Sequence, residues 1–347
     1  MTGAVPPEQG RDLAALPKAH LHLHSTGSMR HATLVELAYR SGVRLPESLR
    51  SPSPPPLRDV DSRGWFRFQR LYDVARSVLT TEDDVRRLVR EAAEDEAAEG
   101  SGWLEIQVDP SGYAARYGGV TPFLELFLAA AREAEELTGV GIGVIVAANR
   151  TRHPLDARTL ARLAVRYAGA GVVGFGLSND ERRGATSEFA RAFAIARHGG
   201  LPTVPHAGEL RGPEHVRAVL EVADPARLGH GVRAAEDPAL LEELARRGTA
   251  CEVCPASNVS LGVAERPEDV PLRQLLAAGV PVALGADDPL LFGSRLTAQY
   301  ALARSAHGLD DAALAALARS SVESSFAPED RKRRLLAGIE RWLATPP

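Results

Sequence analysis

Eight short apolar or β-branched runs, each followed by a longer amphipathic stretch, limit this chain's fold more than any other feature. The runs are Ala19–Leu23, Trp103–Val108, Val140–Val146, Val172–Leu177, Leu201–Val204, Arg227–Gly229, Ala250–Val253 and Val280–Leu284. Helical periodicity lies between them over Thr121–Leu137, Ala157–Tyr167, Ser187–Arg197, Glu214–Glu221, Pro238–Arg247 and Leu272–Ala277. Repeated strand–helix alternation predicts a parallel sheet closed into a (β/α)8 TIM barrel with helices outside. A doubly wound open sheet competes, but no Gly-rich dinucleotide fingerprint follows the first strand. The 347 residues suit one such domain, spanning 1–347.

The first connection is long. From Ser25 to Gly102 it carries three helix-like pieces around Leu34–Tyr39, Trp65–Leu79 and Asp83–Glu99. Within it, the proline tract of residues 51–56 can continue neither a helix nor a sheet interior, and reads as a surface loop. An insertion after strand one sits at the catalytic mouth of a barrel, so residues 25–102 are expected to form a helical lid. The tail beyond Leu309 is helical in pattern and is expected at the barrel's bottom or side.

Composition excludes several classes. Net charge is −4 with both signs spread throughout, which argues against a nucleic-acid partner. No run is long and apolar enough to span a membrane, and the first fifteen residues lack the apolar core of a signal peptide. Two cysteines make no disulfide framework. A cytoplasmic setting is expected. Cys251 and Cys254 have a C-x-x-C spacing, but a separation of three on a strand points them to opposite faces, so they are expected to pack rather than react.

Four clusters carry candidate chemistry. In His20-Leu21-His22-Leu23-His24 the three imidazoles are in phase on one strand face, directly before a Gly-containing turn. A lone histidine there is ordinarily packed or solvated; three in phase suit a metal, and the pair nearer the strand's C-terminal end is favoured. Spacing alone does not select the pair. Pro205-His206-Ala207-Gly208-Glu209 offers a further ligand in His206 and a carboxyl in Glu209 that an apolar pocket would keep protonated. The alternative for Glu209 is a helix cap. In Gly229-His230-Gly231 the flanking glycines leave room for close approach. Asp287-Asp288 ends the eighth run, where two acids alone would mark only a turn. Each cluster ends a different predicted strand, and one site explains all four better than four accidents. Three His and one Asp would give zinc a mixed shell with a position left for water, whose pKa the metal lowers.

At these clusters the sequence resembles the adenosine deaminase family of metal-dependent hydrolases, from Pro17-Lys18 to Ser325-Phe326-Ala327-Pro328-Glu329. The likeness includes Glu252-Val253-Cys254-Pro255-Ala256-Ser257-Asn258 and the Asp180-Glu181 pair. It implies one Zn2+ held by His22, His24, His206 and Asp287, with His20 not a ligand. It implies that His230 orients and deprotonates the water, Glu209 protonates purine N1, and Asp288 hydrogen-bonds the purine and the attacking oxygen. The implied partner is a small purine nucleoside, with His24, Thr26, Asn179 and Asp288 contacting it. The implied reaction is hydrolytic deamination of adenosine or deoxyadenosine to the inosine product and ammonia.

Two departures bear on substrate. The family's H-x-H-L-D-G reads His22-Leu23-His24-Ser25-Thr26-Gly27, with Thr26 where the family's Asp meets the ribose 5′-hydroxyl. The family's Gly-Asp-Glu reads Asn179-Asp180-Glu181. The base end is therefore intact and the sugar end altered, which motivates a second reading: a 5′-substituted adenine nucleoside such as aminodeoxyfutalosine, methylthioadenosine or adenosylhomocysteine. A non-catalytic nucleoside-binding protein is the alternative of another class. Two-metal relatives bridged by a carbamylated lysine are excluded, because no Lys lies between Lys18 and Lys332.

Overall fold

The computed structural model describes residues 10–52 and 62–346. Eight parallel strands follow one another around a barrel: β1 (Lys18–His24), β2 (Ser101–Val108), β3 (Gly141–Asn149), β4 (Val172–Ser178), β5 (Thr203–Ala207), β6 (Arg227–His230), β7 (Ala250–Val253) and β8 (Val282–Leu284). Closure between β8 and β1 comes from two backbone bonds, Asp287 N to the His22 carbonyl and His24 N to the Asp287 carbonyl, each 3.0 Å. The expected TIM barrel is therefore present.

The helices are α1 (His31–Ser41), α2 (Ser62–Ser77), α3 (Glu82–Ala98), α4 (Val120–Thr138), α5 (Pro154–Arg166), α6 (Ala190–His198), α7 (Pro213–Ala223), α8 (Pro238–Arg247), α9 (Pro255–Ser260), α10 (Leu272–Ala277), α11 (Pro289–Phe292), α12 (Leu296–Ser305), α13 (Asp311–Ser324) and α14 (Glu329–Ala344). Their starts follow local rules. Proline opens α5, α7 and α8, where the missing N–H has no partner to lose. Thr81 and Asp84 form a reciprocal capping box on α3. The helical tail packs where expected: Ser321 Oγ of α13 accepts from Ala19 N at the foot of β1, and Ser320 Oγ from Val282 N at the foot of β8. None of the described helices is long and apolar enough to cross a membrane.

Three local expectations shift. The fifth strand runs over Thr203–Ala207 rather than 201–204, and so includes His206. Pro205 is its last residue paired with β4, and His206 is the first paired with β6. The chain thus places the residue without an N–H at the changeover. Second, a register irregularity between His20 and Leu23 breaks the phase of β1. His20 consequently leaves the other two imidazoles: its Nδ1 bonds Glu96 of α3 at 2.7 Å, and its Nε2 accepts from Ala286 N at 2.9 Å. Third, the short helices α9 and α11, set directly after β7 and Asp288, lacked enough periodicity to be foreseen. Most of the proline tract of residues 51–56 lies outside the described residues.

Candidate functional site

β1, β5, β6 and β8 each end in one candidate group, and the barrel brings these ends together. The His22 ring centroid lies 4.8 Å from those of both His206 and His230, and 5.3 Å from that of His24. Asp287 Oδ1 is 3.2 Å from His24 Nε2 and 3.5 Å from His22 Nε2. Backbone strain accompanies this convergence. Among the described residues, four non-glycine positions have left-handed φ, and three are site residues: Asn179 (80°), His230 (64°) and Asp287 (61°). Such geometry persists only where surrounding structure over-determines it, and it gathers at functional sites. Small residues make the approach possible. A Cβ on Gly229 would come within 2.6 Å of His206 and 2.9 Å of His22, and one on Gly27 would overlap the Asp288 carboxyl.

These residues fit a single divalent cation. The buried atoms His22 Nε2 and His206 Nε2 have no hydrogen-bond partner among the described residues. A buried lone pair without a donor is unfavourable unless something else fills that role. Zinc bonds of about 2.0–2.1 Å at tetrahedral angles separate neighbouring donor atoms by about 3.4 Å, and the Asp287-to-imidazole distances match. His22 is also prepared as a ligand. Its Nδ1 donates to Glu252 Oε2 at 2.7 Å, which leaves Nε2 to face the site. Burial alone would lower the His22 pKa, but the carboxylates of Asp287 and Glu252 on either side of the ring outweigh it and push it up to about 10. A metal at this position therefore binds in competition with a proton. Ser257 Oγ, 2.5 Å from Asp287 Oδ2, orients the carboxylate. Cys254 Sγ lies near His22 and Asp287, but burial pushes its thiol far up and keeps it protonated, unlike a ligating thiolate.

The remaining groups divide by charge state. Glu209 is pushed well above the carboxylate range, first by burial and then by the charges of Asp287 and Glu181. That direction favours its protonated form. Burial and the neighbouring His22 bring His230 down to about 3, so its imidazole is neutral. Asp288 is raised by burial and by Asp287. Asp287 goes the other way: burial would raise it, but the imidazoles of His22 and His24 beside it hold it well below the usual range. Glu209 Oε1, His230 Nδ1 and Asp288 Oδ1 are all buried without a partner among the described residues. Titratable groups with opposed shifts, and with unspent hydrogen-bonding capacity, are what acid–base chemistry requires.

A cavity of about 70 Å3 connects these groups, with His24, His206, Glu209, His230, Asp287 and Asp288 on its inner wall. Trp65, Phe68 and Tyr72 of α2 form the opposite wall. The sequence offered no periodicity that distinguishes these aromatics from core residues. Asn179 lines the cavity, but its side chain is engaged by α2: Oδ1 accepts from Trp65 Nε1 at 3.3 Å, and Nδ2 donates to Gln69 Oε1 at 2.7 Å. Thr26 is buried outside the cavity lining, its Oγ1 2.5 Å from the Tyr113 hydroxyl. Through Trp65, Gln69, Arg76, Asp109, Asn149 and Asn179 the cavity adjoins an outer chamber that Phe66, Arg152 and Arg183 complete.

Several known proteins are similar to this chain. A Streptomyces virginiae protein with the provisional name adenosine/adenine deaminase is 65% identical over 336 residues, covering 97% of this chain and 99% of its own. An adenine deaminase of Agrobacterium fabrum is 35% identical, covering 93% of this chain and 98% of its own. The crystal structure of adenine deaminase from Arthrobacter aurescens superposes with a TM-score of 0.87 at 30% identity, over 95% of this chain and all of that one. The adenosine deaminase family profile matches residues 17–342, and this chain belongs to that family of aminohydrolases.

Proposed function

We propose that this aminohydrolase removes the 6-amino group from the adenine ring of a nucleoside extended at its 5′ end, releasing ammonia, and that it uses one zinc ion. His22, His24, His206 and Asp287 would hold the metal, which when bound supplies Lewis-acid activation of water. Glu209 delivers its proton to ring N1, making C6 electrophilic. Neutral His230 takes the proton that the attacking water releases. Asp288 hydrogen-bonds the reacting face of the base from a carboxyl with a free Oδ1. The connection carrying α1, α2 and α3 acts as a lid within a single barrel domain, and the aromatic face of α2 shields the base from solvent.

One observation carries the substrate choice. The base-facing groups meet in the inner cavity, whereas Thr26, at the position the resemblance assigns to the sugar's 5′-hydroxyl, is bonded to Tyr113 outside the cavity lining. Unmodified adenosine, the first expectation from sequence, would find no acceptor there. The adjoining outer chamber offers space for a 5′ substituent instead. Free adenine is the second reading, favoured by relatives whose names specify that base. Comparing kcat/KM for adenine, adenosine and a series of 5′-substituted adenine nucleosides tests the proposal. A preference for a 5′-substituted compound of at least tenfold, about 1.4 kcal/mol in transition-state binding, is expected; a preference for adenine or adenosine would overturn it.

A further inference from the structure

Among the described residues, no hydrogen bond aims the carboxyl of Glu209. Its Oε1 is unpartnered among the described residues, and its Oε2 stands 3.6 Å from His230 Nε2. Its position must therefore come from its backbone, which lies in the irregular segment after β5. That segment turns at Gly208, whose φ is 78°. Beyond the turn, three successive N–H groups converge on one buried carboxylate from the end of β4. Glu181 accepts from Glu209 N (3.2 Å to Oε1), Leu210 N (3.0 Å to Oε2) and Arg211 N (2.9 Å to Oε2). Glu181 is only 1% exposed and is not itself one of the residues lining the cavity. A concave row of amides is an anion-binding device, and here its occupant is a side chain of the same protein.

We infer that Glu181 is a positioning residue that fixes the proton donor Glu209 by clamping the three amides that begin at Glu209 itself. The inference rests on Glu209 being that donor. Glu181 is suited to the task because it is itself held in place. Arg150, from the end of β3, provides the neighbouring positive charge and also donates to the His206 carbonyl at 3.0 Å. His215 Nδ1 of α7 lies 3.7 Å from Glu181 Oε2. The segment does not depend on Glu181 for its existence, since Arg233 N donates to the Gly208 carbonyl at 2.8 Å and Arg233 Nη1 to the Leu210 carbonyl at 3.0 Å. Removing the clamp should thus loosen Glu209 rather than unfold the segment. A displacement of about 1 Å at a reacting group can cost roughly a hundredfold in rate.

The experiment compares Glu181→Gln, Glu209→Gln and the double variant, with zinc content and thermal unfolding measured on each. Glu181→Gln keeps one oxygen acceptor but introduces an amide NH2 that cannot accept. Its kcat is expected to fall by about ten- to a hundredfold, with KM within about threefold and zinc unchanged. If Glu181 acts only through Glu209, the double variant turns over no more slowly than Glu209→Gln alone. A further loss in the double variant, or zinc loss on changing Glu181, overturns the inference. Wild-type turnover in Glu209→Gln would instead overturn the reading beneath it. Should Glu181→Gln fail to fold, Glu181→Asp replaces it in the same cycle, because the shortened carboxylate keeps its charge but cannot reach all three amides.

Discussion

Residue by residue, the site is a set of titrations shifted by burial and by neighbouring charges, and those shifts are testable. The raised Glu209 pKa means that its proton is kept to higher pH than that of an ordinary carboxyl and is lost as pH rises further. His230, lowered to about 3, is already unprotonated there and contributes no limb near neutrality. The pH profile of kcat/KM should therefore fall on its alkaline side, at a higher pH than an ordinary carboxyl would impose, as Glu209 gives up its proton. Glu209→Gln should retain full zinc occupancy, lose about 10²- to 10⁴-fold in kcat, and show no alkaline limb. An alkaline limb that survives the substitution would assign that titration to another group. The groups proposed for this chemistry were legible in sequence because each lies in a short cluster at the end of a strand. Glu252 and Glu181 were quoted within matching motifs but had no visible role. Their partners lie 230 and 28 residues away, at His22 and Glu209, and no local spacing encodes such contacts.

Among the elements, α2 has the most distinctive part. Strand–helix alternation revealed the barrel, and the helices of the first connection were found within a few residues of their bounds, but which face of α2 meets the site depends on long-range packing. The structure answers this with Phe68 stacked on Phe292 of α11 at 5.6 Å and with the two hydrogen bonds to Asn179. Asn179 holds a φ of 80°, a value glycine adopts freely, so its side chain is kept despite the backbone cost. Asn179→Gly should relieve strain and remove both bonds to α2 at once. Thermal stability should change little, because the two effects oppose each other. The hold on α2 beside the cavity should weaken by about 2 kcal/mol at about 1 kcal/mol per bond, and KM for the preferred nucleoside should rise by up to about thirtyfold with zinc content unchanged. An unchanged KM would show that Asn179 does not hold α2 over the cavity.

At the scale of the whole molecule, a buried ionic chain joins the barrel's C-terminal helices to the proposed metal ligand His22. Arg227, the first residue of β6, is 1% exposed and pairs with Glu105 of β2 and, through Nε at 2.6 Å, with Glu252 of β7. Its Nη1 donates to the Ser324 carbonyl at the end of α13, and the Phe326 ring lies 4.0 Å from its guanidinium carbon. Glu105 also accepts from Phe326 N at 2.5 Å and from Trp103 Nε1 at 2.9 Å. Burial would raise the Glu252 pKa, but the Arg227 charge and the His22 hydrogen bond keep it low, so Glu252 remains a carboxylate able to accept the His22 Nδ1 proton. Arg227→Met removes the central cation and leaves two buried acids facing one another. Breaking such a pair typically costs about 3–5 kcal/mol, readable in urea unfolding. With Glu252 then protonated, His22 loses the acceptor that orients it, and zinc affinity should fall by about 10- to 100-fold in chelator competition. Glu105→Gln separates the two effects: it should destabilise the fold while leaving the Arg227–Glu252–His22 connection, and hence most of the zinc affinity, in place. Equal zinc affinity in Arg227→Met and the wild type would mean that Glu252 holds His22 without help from the barrel's ionic core.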